Sequence, residues 1–274
     1  MKRSLIALSF LIATTAYAAT ADDLKNFERV LFPAWIPIPI AGAAGSRWTA
    51  DATIHNPGPD SVAVYPIVAA SGRGVGTIEP GTSWLMSFGH DSLFGIGEGS
   101  QDDIPGRLAY VQRDHADALV YANRLPDVEL PVVRERDLRA STLSLSDVPL
   151  DPRFRLLLRV YDPFQTPNAQ IRVRFWSIWQ ATNTGVSAFT SQPPQLLGER
   201  ILTLKVRPQS GDEASVEPGY AQLSFDRSML SSVPTSSNGA IAVDVEPLTP
   251  GLRFWAFITV TDNATQRVMT ITRH

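Results

Sequence analysis

The sequence predicts an all-β protein built from two antiparallel β-sandwich units, with little helix. Short runs of alternating apolar and polar residues recur along the chain, and Pro, Gly, Asn and Asp interrupt them, which is the pattern of an all-β sandwich or barrel. The two halves also repeat one order of strand and turn. That repeat favours diverged copies of one β unit, although any two β-sandwich halves share some of this pattern.

The first 18 residues have the features of a secretory signal peptide. Lys2 and Arg3 form a positive n-region, residues 5–13 are apolar, and Ala16-Tyr17-Ala18 is an A-x-A cleavage site. The apolar run is shorter than the about 20 residues of a spanning helix, although an uncleaved membrane anchor stays an alternative. We therefore expect export to the periplasm or the extracellular space, with no transmembrane helix after cleavage.

Composition narrows the functional classes further. The 274-residue chain has a formal net charge of −3 and no cysteine. The lack of Cys excludes thiol catalysis, thiolate metal sites, disulfides and a lipid attached to cysteine. An acidic exported chain is not steered toward nucleic acid, and it meets little ATP or NAD(P)H, so we expect no nucleic-acid partner and no cofactor.

The first half predicts a mature N-terminal segment and one sandwich domain. In the segment, residues 19–31, the stretch 22–31 predicts a short helix or a mobile terminus. In the domain, residues 32–140, alternation over 48–55 leads to a turn at Asn56-Pro-Gly-Pro-Asp60 and a run over 62–68, which predicts a hairpin. Residues 108–112 and 117–123 predict a second hairpin.

The second half, residues 141–274, predicts a domain of the same kind. Residues 154–161 and 171–178 flank a turn at Asp162-Pro163 and predict a hairpin. Residues 240–245 and 252–261 flank the turn 248–251 and predict another. Residues 141–145 and 266–272 predict the first and last strands. Three prolines, Pro131, Pro149 and Pro152, mark the boundary between the domains.

Two short blocks carry a resemblance to other proteins. They are Gly45-Ser-Arg-Trp-Thr-Ala-Asp51 leading to Asn56-Pro57, and Phe257-Ile-Thr-Val-Thr-Asp-Asn-Ala-Thr265. On these blocks the chain resembles a loose group of uncharacterised exported bacterial proteins with tandem immunoglobulin-like β-sandwich domains, although Ala50 stands where that group usually has Thr. The resemblance implies an immunoglobulin-like fold and export. It implies no activity and no catalytic residues.

Catalytic and metal sites are not evident in the sequence. The histidines, at positions 55, 90, 115 and 274, have no metal-ligand spacing. Ser92 lies near His90 and Asp91, but sequence adjacency does not build a triad, and G-x-S-x-G is absent. The acidic, glycine-rich stretch 95–103 offers oxygen ligands for Ca²⁺, but its spacing matches no EF-hand, which favours a solvated loop. We therefore expect no enzyme activity and no resident metal.

One strand face suggests ligand binding. If strands 154–161 and 171–178 pair, alternation places four arginines and two aromatic residues on one surface: Arg155, Arg159, Tyr161, Arg172, Arg174 and Trp176. Arginine stacks on aromatic rings and binds carboxylate or phosphate bidentately. The predicted partner is an acidic glycan, an envelope component or a protein. The alternative is that Asp244 and Glu246 neutralise these arginines across the sheet.

The sequence as a whole favours an exported, non-catalytic protein that acts by binding or scaffolding. Two alternatives stay open. One is a secreted glycan or ester hydrolase whose site is built from loops, and the other is an outer-membrane β-barrel, whose strands also alternate. The six tryptophans are expected mostly in cores rather than on a sugar-stacking platform.

Overall fold

The computed structural model describes most of the chain after residue 19. The described residues are 20, 22–33, 40–41, 47–69, 72–85, 106–125, 128–178, 182–183, 189–190, 194–206, 216–230 and 240–273. They form antiparallel strands and two single-turn 3₁₀ helices, Glu135–Asp137 and Arg227–Met229. No helix among them is long and apolar enough to cross a membrane. The predicted signal peptide and the stretch 89–103 lie outside these residues.

The first unit contains eleven of the described strands. They are β1 (Phe27–Phe32), β2 (Ile40–Ala41), β3 (Arg47–Trp48), β4 (Asp51–His55), β5 (Val62–Ala69), β6 (Gly72–Ile78), β7 (Ser83–Leu85), β8 (Arg107–Gln112), β9 (Val120–Leu125), β10 (Val128–Leu130) and β11 (Val133–Arg134). Sheet S1 has the order β10-β9-β4-β7, and sheet S2 has the order β11-β1-β8-β5-β6. β2 and β3 form a separate pair.

The second unit contains the remaining described strands. They are β12 (Leu143–Pro149), β13 (Phe154–Asp162), β14 (Gln170–Ser177), β15 (Thr182–Asn183), β16 (Phe189–Thr190), β17 (Leu196–Thr203), β18 (Gly219–Phe225), β19 (Ala240–Pro247), β20 (Trp255–Asp262) and β21 (Val268–Ile271). Sheet S3 has the order β18-β13-β20-β21, and sheet S4 has the order β12-β19-β14-β17. β15 and β16 form a separate pair.

The two units share one strand order. When β4, β7, β9 and β10 are matched with β13, β18, β20 and β21, sheets S1 and S3 have the same neighbours throughout. When β1, β5, β6 and β8 are matched with β12, β14, β17 and β19, S2 and S4 also agree, and β11 is an extra edge strand. The matches follow chain order in both units. This agreement supports the predicted duplication.

Each unit encloses its own core between its two sheets. In the second unit, Leu156, Leu158 and Val160 of β13 pack with Val173 and Phe175 of β14. The core of the first unit is formed in the same way by side chains of S1 and S2. Burial alternates along β14 and β19, as expected for strands with one face in a sandwich core. The predicted all-β sandwich class is confirmed.

The four predicted hairpins are wrong as strand pairs. In each case the two strands lie in different sheets, and the turn between them crosses the sandwich as an arch. The four pairs are β4 with β5, β8 with β9, β13 with β14, and β19 with β20. The turns themselves form as expected. Asn56 Oδ1 accepts from the amide of Gly58 at 3.0 Å, and Asp162 Oδ1 accepts from that of Phe164 at 2.8 Å.

The N-terminal segment is also different from the expectation. Residues 27–32 form strand β1 in the interior of S2, between β8 and β11, rather than a helix or a mobile terminus. Val30 and Phe32 face the core of the first unit, and Leu31 lies on the opposite face. Burial on alternate residues, as in a strand, therefore describes this segment better than the helix that its sequence suggested. The first sandwich begins at Phe27, upstream of the expected residue 32.

The immunoglobulin-like strand order is not confirmed. In immunoglobulin domains the first two strands, A and B, are neighbours in one sheet. Here the first two strands of the second unit, β12 and β13, lie in S4 and S3.

Candidate functional site

The outer face of S2 packs against the outer face of S3, which joins the two units. One buried cluster contains side chains from both faces, among them Leu31, Leu108 and Tyr110 from the first unit and Tyr161 and Phe257 from the second. The sheets therefore stack in the order S1, S2, S3, S4. We call this contact the inter-unit interface.

Aromatic rings form much of the inter-unit interface. Phe257 is fully buried between Tyr161 and Trp255, with ring centroids 6.3 and 5.1 Å away. The hydroxyl of Tyr161 donates to the carbonyl of Pro33 in the first unit. Burial raises the pKa of Tyr161 to about 12. A phenol in this position is held neutral and hydrogen-bonded.

Backbone contacts complete the inter-unit interface. The amide of Leu108 donates to the carbonyl of Val216 at 2.8 Å, and Arg107 lies 3.8 Å from Glu217. Gly106 is needed for close approach, because a Cβ there would lie 3.0 Å from Leu31 Cδ1 and 3.1 Å from Tyr161 Cε1. Hydrogen-bonded backbone and a close glycine contact are features of a fixed interface rather than a loose one.

The structure divides the predicted Arg-aromatic face between two sheets. Arg155, Arg159 and Tyr161 lie on the outer face of S3, whereas Arg172, Arg174 and Trp176 lie on the outer face of S4. The predicted single surface is therefore wrong, because β13 and β14 are not paired. Their ligand-binding role stays a prediction.

The S3 part of that face is largely covered. Tyr161 is 1% exposed and Arg159 is 7% exposed. The Arg159 guanidinium donates to Thr259 Oγ1 at 3.2 Å and lies 5.8 Å from the Phe257 ring centroid. Arg155 is half-buried at the other end of the strand. Tyr161 and Arg159 are therefore components of a packed face.

The S4 part of that face is half-buried, and its arginines are neutralised. Arg174 lies 2.9 Å from Glu199 and 3.1 Å from Glu246, and Arg172 lies 3.3 Å from Glu246. The hydrogen bond from Arg174 to Glu199 raises the pKa of Arg174. The cross-strand alternative is therefore confirmed for Glu246. Asp244 lies directly opposite Arg174 in the register, but its carboxylate accepts a hydrogen bond from Ser144 Oγ at 2.6 Å.

A different group of arginines and an aromatic ring meets at the rim of the inter-unit interface. Glu135, in the first 3₁₀ turn, lies 3.5 Å from Arg29, 3.9 Å from Arg113 and 3.9 Å from Arg253. Phe164, in the loop after β13, lies between Arg29 and Arg253, whose guanidinium carbons are 4.5 and 5.3 Å from the ring centroid. We call these five residues the junction cluster.

The junction cluster draws on both units and on the segment between them. Arg29 and Arg113 belong to the first unit, Glu135 to the connecting segment, and Phe164 and Arg253 to the second unit. Arg253 Nη2 donates to the carbonyl of Glu135 at 2.6 Å, and Arg113 Nη2 donates to that of Phe27 at 2.9 Å. Beside the cluster, burial raises the pKa of Tyr110 although the Arg29 charge opposes the shift.

A second charged network is structural. Arg134 donates from Nε to Glu28 Oε1 at 2.9 Å, and both side chains are buried. Burial alone would lower the pKa of Arg134, but its hydrogen bonds to Glu28 and Asp117 raise it. A buried pair with satisfied hydrogen bonds positions β11 against β1 and offers no open ligand position.

The two described histidines, His55 and His115, each contact one neighbouring polar side chain. His55 Nδ1 lies 2.9 Å from Ser83 Oγ on S1, and His115 lies 3.0 Å from Asp114 in a turn. Within the described ranges, no group of three or more His, Asp or Glu side chains is placed to hold a metal ion. His90, Ser92 and the acidic stretch 95–103 lie outside the described residues.

No protein-family model, curated protein or solved structure matches this chain. The resemblance to exported proteins with tandem immunoglobulin-like domains therefore stays a prediction, and the candidate site depends on geometry alone.

Sequence reasoning missed the junction cluster because its members are far apart in the chain. Arg29 lay in a stretch interpreted as a helix, and Arg253 lay in the strand predicted over residues 252–261. The available signal was the charged segment 133–139 between the two units, which contains Glu135. Only the packing of S2 on S3 brings these residues together.

Proposed function

We propose that this protein is exported and acts without catalysis, as a binding or scaffolding protein of the periplasm or extracellular space. The signal-peptide pattern supports export. The tandem sandwiches, which we propose are diverged copies of one unit, supply a rigid body. An acidic glycan, an envelope component or a protein is the expected partner.

The inter-unit interface is the observation that carries this proposal. Apolar contacts between domains that are large and buried oppose relative motion. With Phe257 and Tyr161 buried between S2 and S3, the outer faces of S1 and S4 are held on opposite sides of one body. A fixed spacing between two outer surfaces suits a protein that joins or presents partners.

Export and binding without turnover can be tested together. The full chain is produced with a C-terminal tag in a Gram-negative host, and we expect the tagged protein in the periplasm or medium at the mass of residues 19–274. The purified mature protein is then incubated with envelope extract, and we expect bound material to be released chemically unchanged. Cytoplasmic retention of the full-length chain contradicts export.

The hydrolase alternative is tested with the same material. A fluorophosphonate probe reacts covalently with activated serine nucleophiles. We expect no stoichiometric labelling of the mature protein. Labelling that disappears in Ser92→Ala would overturn the non-catalytic part of the proposal.

A further inference from the structure

The junction cluster has more positive charge than its own carboxylate can balance. Three guanidinium groups surround Glu135, and among the described residues no other carboxylate lies within ion-pairing distance of them. Their side chains are 33%, 54% and 39% exposed for Arg29, Arg113 and Arg253. The cluster is therefore a solvent-accessible centre with two uncompensated positive charges.

The arginines of the cluster are held in place but keep free donors. Arg113 and Arg253 each donate a hydrogen bond from Nη2 to a backbone carbonyl. Each guanidinium lies 3.9 Å from the Glu135 carboxylate, which is beyond hydrogen-bonding distance. Arg29 Nε is buried and has no hydrogen-bond partner. Each guanidinium has five N–H donors, so Arg113 and Arg253 keep most of theirs for a ligand, whereas Arg29 also donates from Nη1 to Glu135 Oε2 at 3.5 Å. Anchored side chains lose little entropy when a ligand binds.

We propose that the junction cluster binds a phosphate group. Arginine binds phosphate bidentately, and the two uncompensated charges match a phosphate dianion. Stacking of a sugar on Phe164 is disfavoured, because Arg29 and Arg253 approach its ring. The inference rests on the proposed function only for the origin of the ligand. An exported binding protein meets phosphate in its free form or on an envelope sugar or lipid.

Binding at this site is coupled to the packing of the two units. A ligand contacting Arg29, Arg113 and Arg253 bridges the first unit to the second, so it binds only when S2 and S3 are in contact. Ligands that bind the folded state alone raise its stability. Phosphate should therefore raise the melting temperature more than chloride at equal ionic strength.

The test is calorimetric titration of the mature protein with inorganic phosphate and glucose 6-phosphate at constant ionic strength. We expect both to bind, with the tighter one identifying the source. Arg113→Gln removes an exposed cation and should weaken binding at least about fivefold, by analogy with lost charge-assisted hydrogen bonds. Glu135→Gln removes the neutralising carboxylate and should tighten binding severalfold.

Arg200→Gln is the matched control, because Arg200 is an exposed arginine of β17 outside the cluster. Its affinity should stay within about twofold of the wild type. If Glu135→Gln does not fold, Arg113→Glu replaces it and should abolish binding. No phosphate binding by the wild type, or an equal loss in Arg113→Gln and Arg200→Gln, overturns the inference. Those results leave export and envelope binding, measured separately, untouched.

Discussion

The two outer faces of the second unit have similar sequence patterns but different environments. On S3, Arg159 and Tyr161 alternate along β13, and on S4, Arg174 and Trp176 alternate along β14. The S3 face is covered by the first unit, whereas the arginines of the S4 face are about one-third exposed. The neighbouring strand accounts for the difference. β20 adds Trp255 and Phe257 to the S3 face, and β19 adds Asp244 and Glu246 to the S4 face.

This contrast shows that an Arg-aromatic alternation does not by itself identify a binding surface. On S3 the arginine packs over an aromatic ring and the rings exclude water. On S4 the arginines form cross-strand ion pairs, which at exposed positions contribute little stability. Accessible, uncompensated arginines occur instead at the rim of the covered face, in the junction cluster.

The largest expected effect comes from removing an aromatic ring of the covered face. Phe257→Ala should lower the free energy of unfolding by about 3–5 kcal/mol, because a fully buried ring is lost between the units. Ile201→Ala is the control, because Ile201 is 56% exposed on S4, and it should cost about 1 kcal/mol or less. Chemical denaturation measures both. Equal losses would contradict the distinction between the two faces.

The covered face also predicts an alkaline loss of stability. Burial raises the pKa of Tyr161 to about 12, so the folded state keeps the proton while the unfolded state loses it above about pH 10. The contribution of the Tyr161 hydroxyl to the free energy of unfolding is fully present below pH 10 and falls by about 2–3 kcal/mol by pH 12. Denaturation at pH 8–12 should show a shallower decline in Tyr161→Phe. Identical slopes in both proteins would count against a buried phenol.

A smaller effect is expected from closing the space around Gly106. Gly106→Ala places a methyl group against Leu31 and Tyr161, which should cost about 1–3 kcal/mol and weaken contact between the units. Gly198→Ala is the matched control. Its new Cβ meets neighbours only at ordinary contact distances of 3.5 Å and more. Thermal melts and limited proteolysis between the units would reveal whether the two variants behave differently.

The smallest effect is expected on the S4 face. Arg174→Gln removes exposed ion pairs to Glu199 and Glu246 and should change the free energy of unfolding by less than about 1 kcal/mol. Phosphate affinity should remain at the wild-type value, because Arg174 lies on S4 rather than at the inter-unit rim. A marked loss of phosphate binding in this variant would return the binding role to S4.

The sequence was a partial guide to strands and a good guide to two turns. Alternation identified about half of the 21 described strands, and Asx-Pro located the turns at Asn56 and Asp162, whose side chains accept backbone amides as expected. These features are predictable because they depend on residues close in the chain. The repeat of strand and turn likewise reflected one shared strand order.

Strand partners were not predictable from the same signals. Alternation specifies which side chains share a face, but not whether the next strand joins the same sheet or crosses to the other. A neglected signal was loop length. The four connections cover residues 56–61, 113–119, 163–169 and 248–254, all longer than the two to five residues of most hairpin loops. The junction cluster was less accessible still, because it requires the contact between units.

The most direct test of the inter-unit interface is a distance measurement between the units. Because the chain has no cysteine, Val120→Cys and Ile201→Cys introduce two unique label sites, each on an exposed side chain, one on S1 and one on S4. Pulsed electron-spin resonance should give one narrow distribution at roughly 30 Å or more, since three sheet spacings of about 10 Å separate S1 from S4. A broad or multiple distribution would contradict a single rigid body.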